Sequence, residues 1–211
     1  YRYSSEEMAK YFWYCLGPAV GSFNNHGIVG GHLFFDRMIK NYVDSYHSAC
    51  REGNTNISFD NFEYGTPKRF FKKEQFSIFA YIADCIIAHN VWVAKEEDRD
   101  IYIKYELDFL LPENFRKISF EENPVLYILA IADTIEPCKC YCSNESKKFV
   151  QKVWRGIDIG YEKEHKTINI TVRDEDIDAE PLISKVKDLS NWVNVEVICE
   201  DRTIKIRQLA K

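Results

Sequence analysis

Apolar positions recur every three or four residues along most of the chain and every second residue beyond about residue 156. The first pattern predicts amphipathic helices and the second predicts strands. Ser4 stands three residues before Glu7, the spacing of a capping box, and predicts a first helix to about Leu16, ended by Gly17-Pro18. Ile28, Val29, Leu33, Phe34, Met38, Ile39, Tyr42, Val43 and Tyr46 recur at the helical period and predict a second helix over 25–50. Residues 53–67, rich in Gly, Asn and Thr, read as a long loop. Over 70–93 the stripe Phe76, Phe79, Ile82, Ala83, Ile86 and Ile87 predicts a third helix. Residues 95–100 read as a solvated charged turn and 101–111 as a short helix. Residues 120–135 read as an apolar helix with Pro124 in its first turn and Pro137 closing it.

After a linking helix over 144–155, the segments 157–161 and 167–172 alternate as strands about a charged turn. An amphipathic helix over 180–192 precedes a second hairpin, 193–199 and 203–207. The expected fold class is therefore mainly α. A helical bundle occupies 1–142, and a small C-terminal α+β (β-β-α-β-β) subdomain occupies 143–211.

Composition narrows the function classes. A chain of 211 residues that is 45% hydrophobic and 29% charged has the apolar surface for a core, which excludes a disordered chain. No apolar run approaches the length a bilayer requires, so no membrane role is expected. A net charge of -5 argues against a dedicated nucleic-acid binder. Seven cysteines are an odd number, and Cys15, Cys50, Cys85 and Cys199 fall inside expected helices and a strand with no signal-type segment ahead of them. This predicts reduced thiols in a cytoplasmic protein. The alternate spacing of Cys138, Cys140 and Cys142 does not match a zinc pair and predicts ordinary thiols as well. The first residue is Tyr1 and not Met, which predicts a piece of a longer chain, with room for an upstream domain as a partner.

Five histidines are few enough for position to carry information. His26 opens one expected helix, His89 ends another, and Asp133 ends a third. Each emerges from a strongly apolar helix, where an isolated imidazole or carboxylate is costly. Singly, such a group is a hydrogen-bonded core residue. Together, two imidazoles and a carboxylate can converge on a divalent metal and leave positions open for water and a phosphate oxygen. Asn90, adjacent to His89, Glu136, three residues after Asp133 and so on the same helix face, and Lys72, in the basic run Lys68-Arg69 and Lys72-Lys73, are the candidate substrate-binding residues. The same basic run also reads as a solvated helix start. His32, six residues after His26, falls on another helix face, and Asp84 falls off the face of His89. Gly30 and Gly31 inside a helix mean either close helix packing or room for a substrate. No residue is assigned as a catalytic group. The chain has no phosphate-binding Gly-rich loop, no nucleophile elbow and no dinucleotide fingerprint.

The order of a His opening a helix, a later His at a helix end and an Asp in Leu129-Ala130-Ile131-Ala132-Asp133 resembles the HD-domain superfamily. Phe120-Glu121-Glu122-Asn123-Pro124 and the His26-Gly27-Ile28-Val29-Gly30-Gly31 stretch add to the likeness, which covers about residues 1–140 and not the tail. The resemblance implies an HD-type helical bundle and a divalent metal (Fe, Mn, Zn or Ni) on His26, His89 and Asp133. It also implies phosphohydrolase chemistry on a phosphorylated small molecule or nucleotide. Members typically carry an adjacent His-Asp doublet, whereas residues 54–64 hold Asp60 and no His, and the comparable pair here is His89-Asn90. Either His89-Asn90 is that doublet after a long insertion, or the doublet is lost and His89 matches a later family histidine. The interval to Asp133 suits the second alignment better. In both, a neutral amide supplies no charge to a hard cation, so the metal is expected to be weakly held or absent. The two leading readings are a metal-dependent phosphohydrolase and a catalytically degenerate module serving as a regulatory or ligand-binding domain of a larger protein. The third is an interaction module that docks through its α+β tail.

Overall fold

The capping box forms as its spacing predicts: the Ser4 N–H donates to Glu7 Oε2 at 2.6 Å, and the Glu7 N–H donates to Ser4 Oγ at 3.1 Å. Two otherwise orphaned donors are satisfied, and helix α1 (Ser5–Leu16) starts there. The computed structural model describes residues 3–16, 26–52, 72–141 and 147–209. Its chain divides into two compact units, one of Tyr11–Val91 and one of Tyr1–Lys10 with Trp92–Lys211. The expected loop at 53–67, the basic residues Lys68 and Arg69, the helix break at Gly17-Pro18 and Cys142 lie outside the described residues.

In the unit of residues 11–91, α2 (His26–Arg51) packs along α3 (Lys72–Ala88). Glycines set how near they come. A Cβ on Gly31 would fall 2.5 Å from Ile87 Cγ1 and 2.7 Å from the Ala83 carbonyl oxygen. One on Gly27 would fall 2.9 Å from the Ile86 carbonyl oxygen and 3.0 Å from Asn90 Cβ. Gly27 and Gly31, four residues apart, therefore let the first turns of α2 seat directly on the last turns of α3. Ile28, Tyr42, Phe79, Ala83 and Cys85 are buried here, and the Tyr42 ring lies 5.2 Å from that of Phe76. Val29 and Leu33 keep the helical period of α2, yet they are 42% and 63% exposed. With Gly27, Ile28 and Gly31 turned inward, residues one and two steps on rotate outward by the 3.6-residue period.

The other unit is where the mainly helical chain acquires its sheet. The charged segment expected as a turn is a 3-10 turn, Glu96–Asp98, running into α4 (Arg99–Lys104), and Arg99 bonds both Glu96 and Glu113. The helix expected to reach 111 stops at Lys104, because Glu106 takes a left-handed backbone (φ 55°), and a second 3-10 turn, Asp108–Leu110, follows. α5 (Pro124–Ile135) starts with Pro124 at its first turn, four residues later than expected. Pro137, expected to close it, also opens a short α6 (Pro137–Tyr141). α7 (Lys147–Gly156) leads into the sheet.

Strands β1 (Ile157–Glu162), β2 (Thr167–Val172), β3 (Val195–Glu200) and β4 (Thr203–Gln208) form one antiparallel sheet in the order β1-β2-β4-β3. Helix α8 (Glu180–Lys187) joins the hairpins and continues as the 3-10 turn Asp188–Asn191. The register pairs Ile170 with Ile204 and Ile168 with Ile206, so alternate residues place an isoleucine row on one face. Ile170, Ile204, Ile206, Leu182, Val186 and Leu189 are almost wholly removed from water. The fold is thus mainly α with a C-terminal α+β part of β-β-α-β-β order, as the apolar periods predict.

Candidate functional site

His26 and His89 come together although 63 residues separate them in the chain. His26 is the first residue of α2 and is exposed. His89 is the first residue past α3, not inside it as expected, and is buried at 5% exposure. Its backbone N–H still donates to the Cys85 carbonyl at 2.9 Å, so the α3 hydrogen-bond ladder places it. The close approach at Gly27 does the rest. With no side chain between them, the start of α2 meets the end of α3, and the two Nε2 atoms lie 3.2 Å apart.

The tautomers follow from the partners. His89 Nδ1 is bonded to the Ile86 carbonyl oxygen, which only accepts, so that nitrogen carries the proton. In a neutral ring the Nε2 of His89 then presents a lone pair towards His26. That is the arrangement metal-binding imidazoles have, one nitrogen donating to a backbone carbonyl and the other free to ligate. Two imidazole nitrogens 3.2 Å apart also match the spacing they take when both bind one first-row ion at about 2.0–2.1 Å. The partial negative charge at the carbonyl end of a helix such as α3 favours a cation nearby. The pair therefore fits a divalent metal, and it equally makes one N–H···N hydrogen bond in its absence.

The other residues singled out in the sequence divide clearly. Asn90 is half-buried next to His89, and its backbone carbonyl accepts a hydrogen bond from the Tyr11 hydroxyl at 3.2 Å. Lys72 opens α3, and no more than its helical position is described. His32 is exposed and stands edge-on to the Phe12 ring at 6.0 Å, in a contact of its own. Asp84 is exposed. Gly31 answers to helix packing, and its partner is Gly27, not Gly30, where a Cβ would meet only Ile86 Cγ2 at 3.4 Å. The four-residue spacing of Gly27 and Gly31 is the signal in the sequence that announces this contact.

Asp133 belongs to the other unit, where it is half-buried in the last turn of α5 and its carbonyl accepts from Lys185 Nζ at 3.5 Å. Glu136 follows the helix with an extended backbone (ψ 111°), so the helical spacing to Asp133 does not apply to it. Among the described residues Cys15, Cys50, Cys85, Cys140 and Cys199 are free thiols. Burial pushes Cys140 and Cys199 up from the ordinary thiol value, which disfavours the reactive thiolate. No helix among the described residues is long and apolar enough to cross a membrane. Comparison with family models, with curated proteins and with solved structures yields no match to this chain.

Proposed function

We propose that the chain is an HD-type metal-dependent phosphohydrolase domain acting on a nucleotide or another phosphoester. The observation that carries this reading is the His26–His89 pair, with two Nε2 atoms at 3.2 Å and the His89 Nδ1 proton committed to the Ile86 carbonyl. Asp133 is the carboxylate of the proposed ligand set on the strength of its place in the sequence pattern. His26 and His89 supply two neutral nitrogens, and Asp133 supplies the negative charge that such a site requires. When bound, a divalent ion (Fe, Mn, Zn or Ni) activates water as the nucleophile for phosphoester hydrolysis. Lys72 would neutralise substrate phosphate, the Asn90 amide would donate to or accept from the substrate, and the Glu136 carboxylate would accept from it. The buried position of His89 limits its rotamers and holds its lone pair in one direction, so this ligand is preorganised.

A second reading rests on Asn90. Where the family resemblance calls for a carboxylate beside the histidine, the chain has an amide, which favours a module that binds its ligand without hydrolysing it. Phosphate release from a panel of nucleotides and small phosphoesters, measured with added Mn(II) or Fe(II), separates the two. Turnover that disappears in His89→Ala and Asp133→Ala supports the hydrolase, and binding without turnover supports the degenerate module.

A further inference from the structure

Lys148, Lys152 and Arg155 fall on one face of α7. Lys148, Gln151, Lys152 and Arg155 stand at i, i+3, i+4 and i+7, while Val153 and Gly156 turn inward and are buried. That face forms one wall of a cleft of about 440 Å³, within the size range of small-molecule sites, with Arg173 and Asp174 at the end of β2 opposite.

The cleft is rigidly built. A Cβ on Gly156 would fall 2.5 Å from Ile177 Cδ1 and 2.8 Å from Asp174 Cβ, so only glycine lets the two walls approach. The Arg173 N–H donates to the Gly156 carbonyl at 2.7 Å and ties them together. From behind, Arg202 donates to the carbonyls of Val172, Asp174 and Ile177, which fixes the segment carrying Arg173 and Asp174.

The charges along this cleft are unequally matched. Lys152 pairs with Asp176 at 2.8 Å and with Asp174 at 3.8 Å, and Arg173 pairs with Asp158. Lys148 and Arg155, both exposed, have no carboxylate partner among the described residues. Two unmatched cations in a fixed concavity are notable in a chain whose net charge is -5. Gln151 adds a neutral amide between them.

The geometry points to a binding site for a small phosphate-bearing anion in this cleft, held by Lys148 and Arg155 with Gln151 as a hydrogen-bond partner. Asp158, Asp174 and Asp176 line or rim the same surface and repel an extended polyanion, so a compact anion suits it and a nucleic-acid strand does not. The site is formed by α7 and the β2 end alone and does not depend on the proposed metal chemistry.

Calorimetric titration of the full chain with inorganic phosphate and with a nucleoside diphosphate, at constant ionic strength, tests this. Binding of either probe is expected, and removal of two charge-assisted contacts in the Lys148→Ala, Arg155→Ala double variant should weaken it roughly tenfold or more. Replacing exposed Lys163, in the β1–β2 turn, by Ala should leave it unchanged. Equal binding of the two probes identifies the phosphate group alone as the ligand, and tighter diphosphate binding identifies an organic phosphate. The proposal is overturned if neither probe binds, if the double variant binds as the parent does, or if only an oligonucleotide binds with an affinity that collapses in salt.

Discussion

Gly31 and Ile87 approach so closely that a Cβ on the glycine would lie 2.5 Å from Ile87 Cγ1, with the Ala83 carbonyl 2.7 Å away on the same side. The carbonyl belongs to the α3 backbone and cannot swing aside. Gly31→Ala should therefore destabilise the chain by about 1–3 kcal/mol, despite the better helix propensity of alanine. Gly30→Ala, where the nearest atom is a side-chain carbon at 3.4 Å, should instead gain about 0.5–1 kcal/mol. Urea denaturation of the two variants reads the difference. Equal shifts of the same sign would show that the α2–α3 contact is looser than described.

The same glycine contact positions His26 against His89, so Gly27→Ala should act on the site as well as on stability. A side chain there meets the Ile86 and Ile87 carbonyls and Asn90 Cβ at about 3 Å. Metal affinity is expected to fall in Gly27→Ala even under conditions where circular dichroism shows the helices intact. Unchanged metal binding in a folded Gly27→Ala protein would separate the histidine pair from the helix packing.

Asn90 gives a prediction of opposite sign. An added carboxylate next to His89 brings the charge that a hard divalent cation requires, so Asn90→Asp should bind Mn(II) more tightly, by about tenfold or more. The Tyr11 bond to residue 90 goes to the backbone carbonyl and survives the change. Titration of the metal-free proteins with Mn(II), followed by electron paramagnetic resonance, compares the two directly. A weaker Asn90→Asp would place residue 90 outside the ligand sphere.

Two tyrosines should resist alkali. Burial pushes the hydroxyls of Tyr127 and Tyr141 up to about 12 from an ordinary 10.0, and Tyr141 also donates to the Asp178 carbonyl at 2.7 Å. The folded state thus favours the neutral phenol. Its contribution is complete below about pH 10, where the phenol is neutral folded or unfolded, and is lost as pH rises through about 12. Absorbance at 295 nm should show a late-titrating fraction that shrinks by two phenols when Tyr127→Phe and Tyr141→Phe are combined. A single transition near pH 10 for all tyrosines would contradict the burial.

Much of this molecule is legible in its residues. Period-two alternation and the intervening charged turns mark all four strands, with β2 matching its expected bounds at Thr167 and Val172. The Ser4–Glu7 box and Pro124 locate two helix starts because capping and proline chemistry act locally. What the periodicity hides is set by contacts across helices or by backbone strain. Val29 and Leu33 satisfy the helical period, yet the Gly27–Gly31 seam faces α3 in their place. The early stop of α4 comes from the left-handed backbone of Glu106, a residue type that gives no turn signal. For the candidate site, His26 and His89 are legible as polar ends of apolar helices. The hydrogen bond that orients His89 is not, because it depends on where the Ile86 carbonyl points once α3 has ended.

The central claim, that His26, His89 and Asp133 hold a divalent ion, is tested most directly by elemental analysis. The purified chain would be measured before and after incubation with Mn(II) or Fe(II), alongside His26→Ala, His89→Ala and Asp133→Ala. The account predicts close to one ion per chain in the parent and a loss of that ion in each variant, with each variant keeping its helical content. A parent that takes up no ion, or an ion that persists in the variants, would contradict it and leave His26 and His89 as a hydrogen-bonded pair closing the α2–α3 contact.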